Sequence, residues 1–494
     1  MLNRGDELQL TVEGAAFEGK TVSRINGFVV FVEGAVPGDV VNARIQKVKK
    51  SYAEAKVLSV AQPSPLRTQP RCKHFGVCGG CKWQHVEYQA QLRFKQQHVV
   101  DAFERIGGFS NLRVLPIIGS NDVYFYRNKM EYSFSDRQWL EHPPAKLGAD
   151  HLPEGEGEKL IPADAENVSS IGSLLLPEIY LGLHVPQRYD KVLNIEECHL
   201  QSHISNQILS FARVFARKEE LPVYSSKTET GYLRFLVIRQ SRHSHEIMVN
   251  LVTLDDRGDV MTRFTLELTA AIPQVTTVVN TINSKKAQIA SGEVEKIYHG
   301  DGVIHEKIGK HSFTISAGSF FQTNTLQAET LYGVAKALAN LQPSDVVWDL
   351  YSGTGSIALF VSDSCKEVVG IESAESAVQD ARRNAAANAV ENCRFVLGDL
   401  KDRLTKDVAW MESHSKPDIL IIDPPRSGMH PKVVEEISQL APRRIVYVSC
   451  NPATQARDVK MLCAEKYDLH TLQPVDMFPH PYHVENVCLL NQRS

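Results

Sequence analysis

The sequence predicts a multidomain α/β protein with a small, OB-like N-terminal β-barrel, a central α+β domain carrying a cysteine cluster, and a C-terminal Rossmann-like domain. Three observations carry this. From about residue 311, short apolar runs alternate with helical patterns, as βαβ units require. Within 1–61, four short strand-like runs are separated by glycine-containing turns, the spacing of a small barrel. Between the two, three of the nine cysteines fall within 72–81. A chain of 494 residues accommodates about three domains, set at 1–61, 62–310 and 311–494.

Bulk properties exclude several classes. No apolar run approaches the roughly 18 residues that span a membrane. The first ten residues, MLNRGDELQL, lack the apolar core of a signal peptide. A cytoplasmic protein with no membrane association is therefore expected. The net charge of −4 shows no overall basic character, so any nucleic-acid contact must come from local charge. Cysteines used this way suggest metal or catalytic sites rather than disulfides.

In the first segment the strand-like runs are 8–12, 28–32, 40–45 and 55–60. Arg44, Lys47, Lys49, Lys50 and Lys56 stand against the single acid Glu54. That cluster reads either as a solvated edge strand or as a phosphate-backbone footprint. Pro63, Pro65 and Pro70 mark a stiff linker.

The cluster CKHFGVCGGC places Cys72, Cys78 and Cys81 in a C-x5-C-x2-C pattern, with Gly79-Gly80 permitting a tight wrap. Three thiolates want a fourth ligand, and Cys198 is the candidate by context. Four thiolates suit a [4Fe–4S] cluster or zinc; the plain alternative is buried free thiols. Across 67–98, Arg67, Arg71, Lys73, Lys82, Arg93 and Lys95 are interleaved with Trp83, Tyr88 and Phe94. Basic groups mixed with aromatics suit splayed RNA. A helix is predicted over 85–106, ended by Gly107-Gly108, and a strand over 124–134 with Arg127 and Lys129 on one face. Residues 138–190 hold nine acids and three Lys/Arg and read as a surface insertion. Residues 204–310 mix helical and strand patterns without catalytic spacing, and 280–286 reads as a basic loop.

In the C-terminal segment, SFFQTN (319–324) precedes a helix, then a strand at 346–350 and the loop YSGTG. Glycines there let backbone approach a ligand closely. Glu372 follows Gly353 by nineteen residues, which puts a carboxylate at the next strand end, within reach of ribose hydroxyls. Gly398-Asp399 follows a third strand. The loop is neither G-x-G-x-x-G nor a Walker GK[ST] motif, which favours S-adenosylmethionine over NAD or ATP. ILIIDPPR (419–426) and IVYVSCNP (445–452) end on the same sheet edge, and Cys450 is the nucleophile candidate there. A lone cysteine is more often a core thiol. Its setting between Asp423–Arg426 and HVE at 483–485 reverses that. Cys365, Cys393, Cys463 and Cys488 lack such company and are read as structural.

At 72–81, 321–324, 349–355, 423–426, 449–452 and 483–485 the chain resembles the RNA uracil-5 methyltransferase family, in particular the bacterial 23S rRNA (uracil-5-)-methyltransferases with a TRAM domain and an iron–sulfur cluster. The resemblance covers nearly the whole chain, with 138–190 as the main departure. It implies an RNA-binding TRAM barrel and a class I methyltransferase domain. Gln322, Tyr351, Glu372 and Asp423 would contact S-adenosylmethionine, with Asp399 beside the adenine. Cys450 would be the nucleophile and Glu485 the general base. Cys72, Cys78, Cys81 and Cys198 would hold a [4Fe–4S] cluster. His483 is expected to orient Glu485 or to be idle, and Arg426 to serve the RNA backbone or the loop itself. The expected activity is methylation of a uridine in 23S rRNA by a monomer. The alternatives are a tRNA uridine, a non-catalytic RNA-binding or ribosome-assembly factor, and an iron–sulfur redox enzyme, for which no flavin or nicotinamide motif speaks.

Overall fold

Continuous apolar runs such as ILII become strands buried on both faces, as a parallel sheet requires. The computed structural model describes residues 2–137, 139, 178–185, 188–406 and 414–493. Its C-terminal sheet runs in the order Cys393–Leu397, Glu367–Glu372, Val346–Leu350, Ile419–Ile422, Arg444–Ser449, Glu485–Gln492, Tyr467–Val475. The first five strands are parallel, and the last two are antiparallel. After Val346–Leu350 the chain builds outward to one side, then returns to build the other. The carboxyl ends of Val346–Leu350 and Ile419–Ile422 thus flank the switch point where such sheets bind ligands.

Alternate residues feed two cores. Val347, Ile419, Ile421 and Val446 pack with the helix Thr325–Ala339 on one face. Trp348, Leu420, Ile422 and Tyr447 pack with Pro431–Leu440 and Pro452–Glu465 on the other.

The structure redraws the expected domain boundaries. Val99 and Phe103, from the helix Tyr88–Ala102 and the turn after it, belong to the second of these cores. Val114 and Ile118 bridge in parallel to Leu472 and Val475. A stretch assigned to the central domain therefore completes the C-terminal one. The boundary at 310 cuts the hairpin Val303–Ile308/His311–Ser316, whose Ile308 and Phe313 also join the C-terminal core.

The central sheet orders as Val294–His299, Thr277–Ile282, Ile247–Thr253, Leu233–Gln240, Lys129–Ser135, Tyr180–Val185, Arg188–Asn194. The strand expected from 124 begins at Lys129. The expected insertion ends earlier than 190, because 180–185 and 188–190 pair within this sheet. Residues 140–177 lie outside the described residues.

The N-terminal barrel has six strands, including Thr21–Ile25, which the apolar pattern missed. Thr21 and Ser23 are its inward residues. Their hydroxyls are satisfied by donating to the carbonyls of Val32 (3.0 Å) and Thr11 (2.7 Å).

The aromatics expected to meet RNA are mostly structural. Trp83 is buried, Phe94 packs edge-on to it, and Tyr88 donates to Asp476 Oδ2 at 2.9 Å. Among the described residues, no helix is long and apolar enough to cross a membrane.

One ion pair joins these parts. Lys95 Nζ lies 2.6 Å from Asp476 Oδ1, and both side chains are fully buried. Lys95 also donates to the Phe478 carbonyl at 2.8 Å. Removing one member of a buried pair leaves an uncompensated charge. Lys95→Ala is therefore expected to cost about 3–5 kcal/mol, and Lys95→Met with Asp476→Leu to recover most of it. Denaturant unfolding of the three proteins checks this.

Candidate active site

The loop after Val346–Leu350 is built on left-handed backbone. Tyr351 has φ 64°, unusual for a side-chain-bearing residue, and Gly353 and Gly355 follow at 53° and 79°. A Cβ on Gly355 would come within 2.7 Å of the Phe395 ring. Glu372 holds this loop from the next strand. Its Oε2 accepts from Gly353 N at 3.1 Å, and its Oε1 accepts from Ser373 N (2.7 Å) and Ala374 N (2.8 Å). Tyr351, Glu372 and Asp399 line one cavity of about 410 Å³, together with Gly428 and His430. Its volume lies within the range of small-ligand sites.

Gln322 and Asp423 do not line that cavity. They gather around Tyr332, whose hydroxyl sits 2.9 Å from Ser356 Oγ. The five cofactor candidates thus fall into two groups. Beneath them Asp349, buried, accepts from Ala358 N at 3.0 Å. Burial first, and Asp423 second, hold its carboxyl well above the ordinary range. Burial also pushes the Asp423 carboxyl up to about 7.

Cys450 ends Arg444–Ser449, and Ser449 pairs with Asn486, which brings Glu485 alongside. Asn451 caps the following helix: its Oδ1 accepts from Ala453 N at 3.1 Å. Pro452 takes the first helical position, where its missing N–H costs nothing. Asn451 Nδ2 (3.0 Å) and Thr454 Oγ1 (3.2 Å) both donate to the Arg426 carbonyl. The DPPR loop is thereby tied to the thiol turn, and the Arg426 guanidinium lies near enough to the Cys450 thiol to favour its charged form. Among the described residues Arg426 has no carboxylate within ion-pair distance.

Burial pushes the Cys450 thiol up to about 11; Glu485 adds to this and Arg426 opposes it. Burial, then Asp423, pushes the Glu485 carboxyl up to about 8, again against Arg426. Burial lowers His483 to about 4, so it is neutral at pH 7; its ring packs 4.2 Å from Tyr482. The arrangement brings a thiol, a cation and a carboxyl raised to about 8 within electrostatic reach of one another. Such a set can add a thiolate to an electrophilic carbon and then remove a proton. Cys365, Cys393, Cys463 and Cys488 pack into the two hydrophobic cores.

Cys72, Cys78, Cys81 and Cys198 line one cavity of about 400 Å³, with Arg127, Lys129 and Thr323. Burial raises all four thiols, Cys78 to about 11 and Cys81 to about 12. Among the described residues, no group of three or more His, Cys, Asp or Glu side chains is arranged to hold a metal ion. The expected cluster site is therefore a gathered donor set and not a formed metal centre. Neutral thiols do not attract one another, and such ligands close only as they lose protons to a cation.

Two contributors were given no role from the sequence, although Asp349 lies within the 349–355 stretch. Asp349 had a signal, an acid inside a buried apolar strand. Asn128 had none: it donates from Nδ2 to the Gln322 carbonyl (3.1 Å) and to Thr325 Oγ1 (2.7 Å), nearly two hundred residues away.

Residues 241–493 match the model of the tRNA (uracil-5-)-methyltransferase family, and residues 2–58 match the TRAM domain. The chain belongs to the tRNA (uracil-5-)-methyltransferase family. It is thus an S-adenosylmethionine-dependent RNA methyltransferase of the uracil-5 type with an N-terminal TRAM domain. An uncharacterized RNA methyltransferase of Porphyromonas gingivalis is 41% identical, over 97% of this chain and 99% of that one. One of Chlorobaculum tepidum is also 41% identical, over 98% and 96%. Among solved structures, the Pyrococcus abyssi tRNA (uracil-54, C5)-methyltransferase in complex with S-adenosyl-L-homocysteine aligns over 98% of this chain and 100% of its own. The TM-score is 0.70 at 26% identity.

Proposed function

We propose that this enzyme methylates carbon 5 of a uridine in 23S rRNA through a covalent bond from Cys450 to carbon 6. The reading is carried by Cys450, Arg426 and Glu485, whose charges act on one another at the strand ends, while Ser427–His430 of the Arg426 loop line the neighbouring cavity. S-adenosylmethionine, when bound, supplies an electrophilic methyl group. Tyr351, Glu372 and Asp399 hold the adenosyl end, and Gln322 and Asp423 the other. Cys450 adds as thiolate to carbon 6, and the ring's electron pair moves toward carbon 5, which becomes nucleophilic. Arg426 offsets the thiolate charge. After methylation Glu485 takes the carbon 5 proton, the carbon 5–carbon 6 double bond re-forms, and the Cys450 thiolate leaves. The base must leave its stack to reach these groups.

The resemblance favours 23S rRNA. A tRNA uridine is the second reading, favoured by the full-length likeness to the Pyrococcus abyssi tRNA enzyme. Incubation with S-adenosylmethionine and 5-fluorouridine-containing transcripts of each RNA separates them, because fluorine blocks the last proton removal. A denaturation-resistant adduct with 23S rRNA, absent in Cys450→Ala, is expected. An adduct with tRNA alone selects the second reading, and none with either overturns the covalent mechanism.

The pH dependence follows from Glu485. A carboxyl raised to about 8 is protonated below that pH and cannot accept a proton. Activity should therefore rise with pH between about pH 6 and pH 9. Arg426→Gln removes the influence that lowers the thiol, so kcat/KM should fall about 10–100-fold, with the rising limb moved to higher pH. An unchanged profile would remove Arg426 from the mechanism.

Cys72, Cys78, Cys81 and Cys198 would hold a [4Fe–4S] cluster; four soft donors on one cavity support it, and the resemblance selects it over zinc. Such a group would join 72–81 to the segment around Cys198. Protein purified without oxygen should contain about four irons and four sulfides per chain and absorb in the visible range. Zinc alone would overturn the cluster.

A further inference from the structure

The turn Phe17–Gly19 of the barrel lies against the segment that leads into Glu485. Phe17 packs edge-on to Tyr482, with ring centroids 5.7 Å apart and planes at 70°. Tyr482 stands three residues before Glu485. The charges bearing on its hydroxyl are Glu18, from the barrel, and Arg426, from the thiol loop. The barrel turn and Tyr482 therefore form one wall, with Arg426 close enough for its charge to act on the Tyr482 hydroxyl.

The wall is rigidly supported. Glu18 and Gly19 are both in left-handed backbone, at φ 60° and 75°. A Cβ on Gly19 would come 2.7 Å from Lys82 Cβ. Lys82 and Trp83 in turn donate their backbone N–H groups to the His480 carbonyl, at 3.0 and 2.9 Å. Phe17 nevertheless remains 56% exposed, so its ring does not fill a core. A held but exposed ring, touching a half-buried tyrosine beside an arginine without a carboxylate partner, has the chemistry of a base-stacking surface.

We propose that Phe17 and Tyr482 form a platform on which an unpaired RNA base flanking the target uridine stacks, so that the barrel supplies a side chain to the mouth of the active site. The proposal rests on the uridine reading above. Extruding a base leaves its neighbours without a stacking partner. An aromatic platform replaces that partner and accepts any base, because every base presents a π-face. Arg426, next along the wall, meets the phosphate charge that accompanies it.

The test uses the full-length protein and a short single-stranded RNA holding one uridine, with 2-aminopurine placed in turn at each flanking position. Quenching of the 2-aminopurine on binding is expected at one flanking position. Phe17→Ala should abolish that quench and weaken binding about tenfold. S-adenosylmethionine affinity and thermal unfolding should stay as in the wild type, and Phe17→Trp should restore the quench. Equal quench and affinity in Phe17→Ala and wild type would overturn the platform. Formation of the 5-fluorouridine adduct by the wild type is scored separately. Its absence would sink the uridine reading, and the quench would still decide the platform.

Discussion

The buried contact between Lys95 and Asp476 is the constraint on which the active site depends. It fixes the helix Tyr88–Ala102 to the end of Tyr467–Val475, where the chain turns toward Glu485. Gln91 and Tyr88 on the same helix reinforce it. Gln91 accepts from His480 N at 3.0 Å, and Tyr88 donates to Asp476. Residues 476–484 form no regular structure before the final strand, so their path is set by side chains from a helix almost four hundred residues earlier. A charge pair without water is costly unless every valence is met. Here the bonds to the Phe478 carbonyl and from Phe478 N complete it.

Electrostatics of the reaction centre follow from burial. Asp349, Asp423 and Glu485 lie close together with little solvent, so each carboxyl is held toward its neutral form. The thiol of Cys450 is raised for the same reason. Arg426 is the cation that works against this for both Cys450 and Glu485. Its loop is fixed by Asn451 and Thr454, so the turn after Cys450 positions the guanidinium that acts on the thiol. Burial and one guanidinium thus oppose each other on the same thiol, and small changes at Arg426 translate directly into thiolate fraction.

The central domain reaches the cofactor side through backbone contacts. Asn128 holds the Gln322 carbonyl, and its own N–H donates to the Thr323 carbonyl at 2.9 Å. Arg239, buried, donates to the carbonyls of Ala317 and Ser319. Arg127 and Lys129, on either side of Asn128, line the cysteine cavity. One short stretch of chain therefore faces the four thiols on one side and the 319–324 loop on the other. The central domain thereby holds the 319–324 loop in place through backbone carbonyls.

Much of this was legible in the residue order. The βαβ alternation, the glycine loop with Glu372 nineteen residues on, the cysteine spacing and the SCNP turn each depend on neighbours in sequence, so local chemistry revealed them. The strand ends were correctly placed on one edge because parallel sheets leave them no other position. Three things required the tertiary structure. Residues 88–118 joined the C-terminal domain through a buried charge pair and two bridges, which no local pattern encodes. Trp83, Tyr88 and Phe94 turned inward, since an aromatic beside a lysine looks the same in sequence whether it meets RNA or a core. The role of Arg426 at the thiol emerged only when two loops more than twenty residues apart were tied together by Asn451. Sequence determines which groups are present and how each strand ends; the charges those groups carry depend on desolvation and on partners from distant segments, and those exist only once the chain has folded.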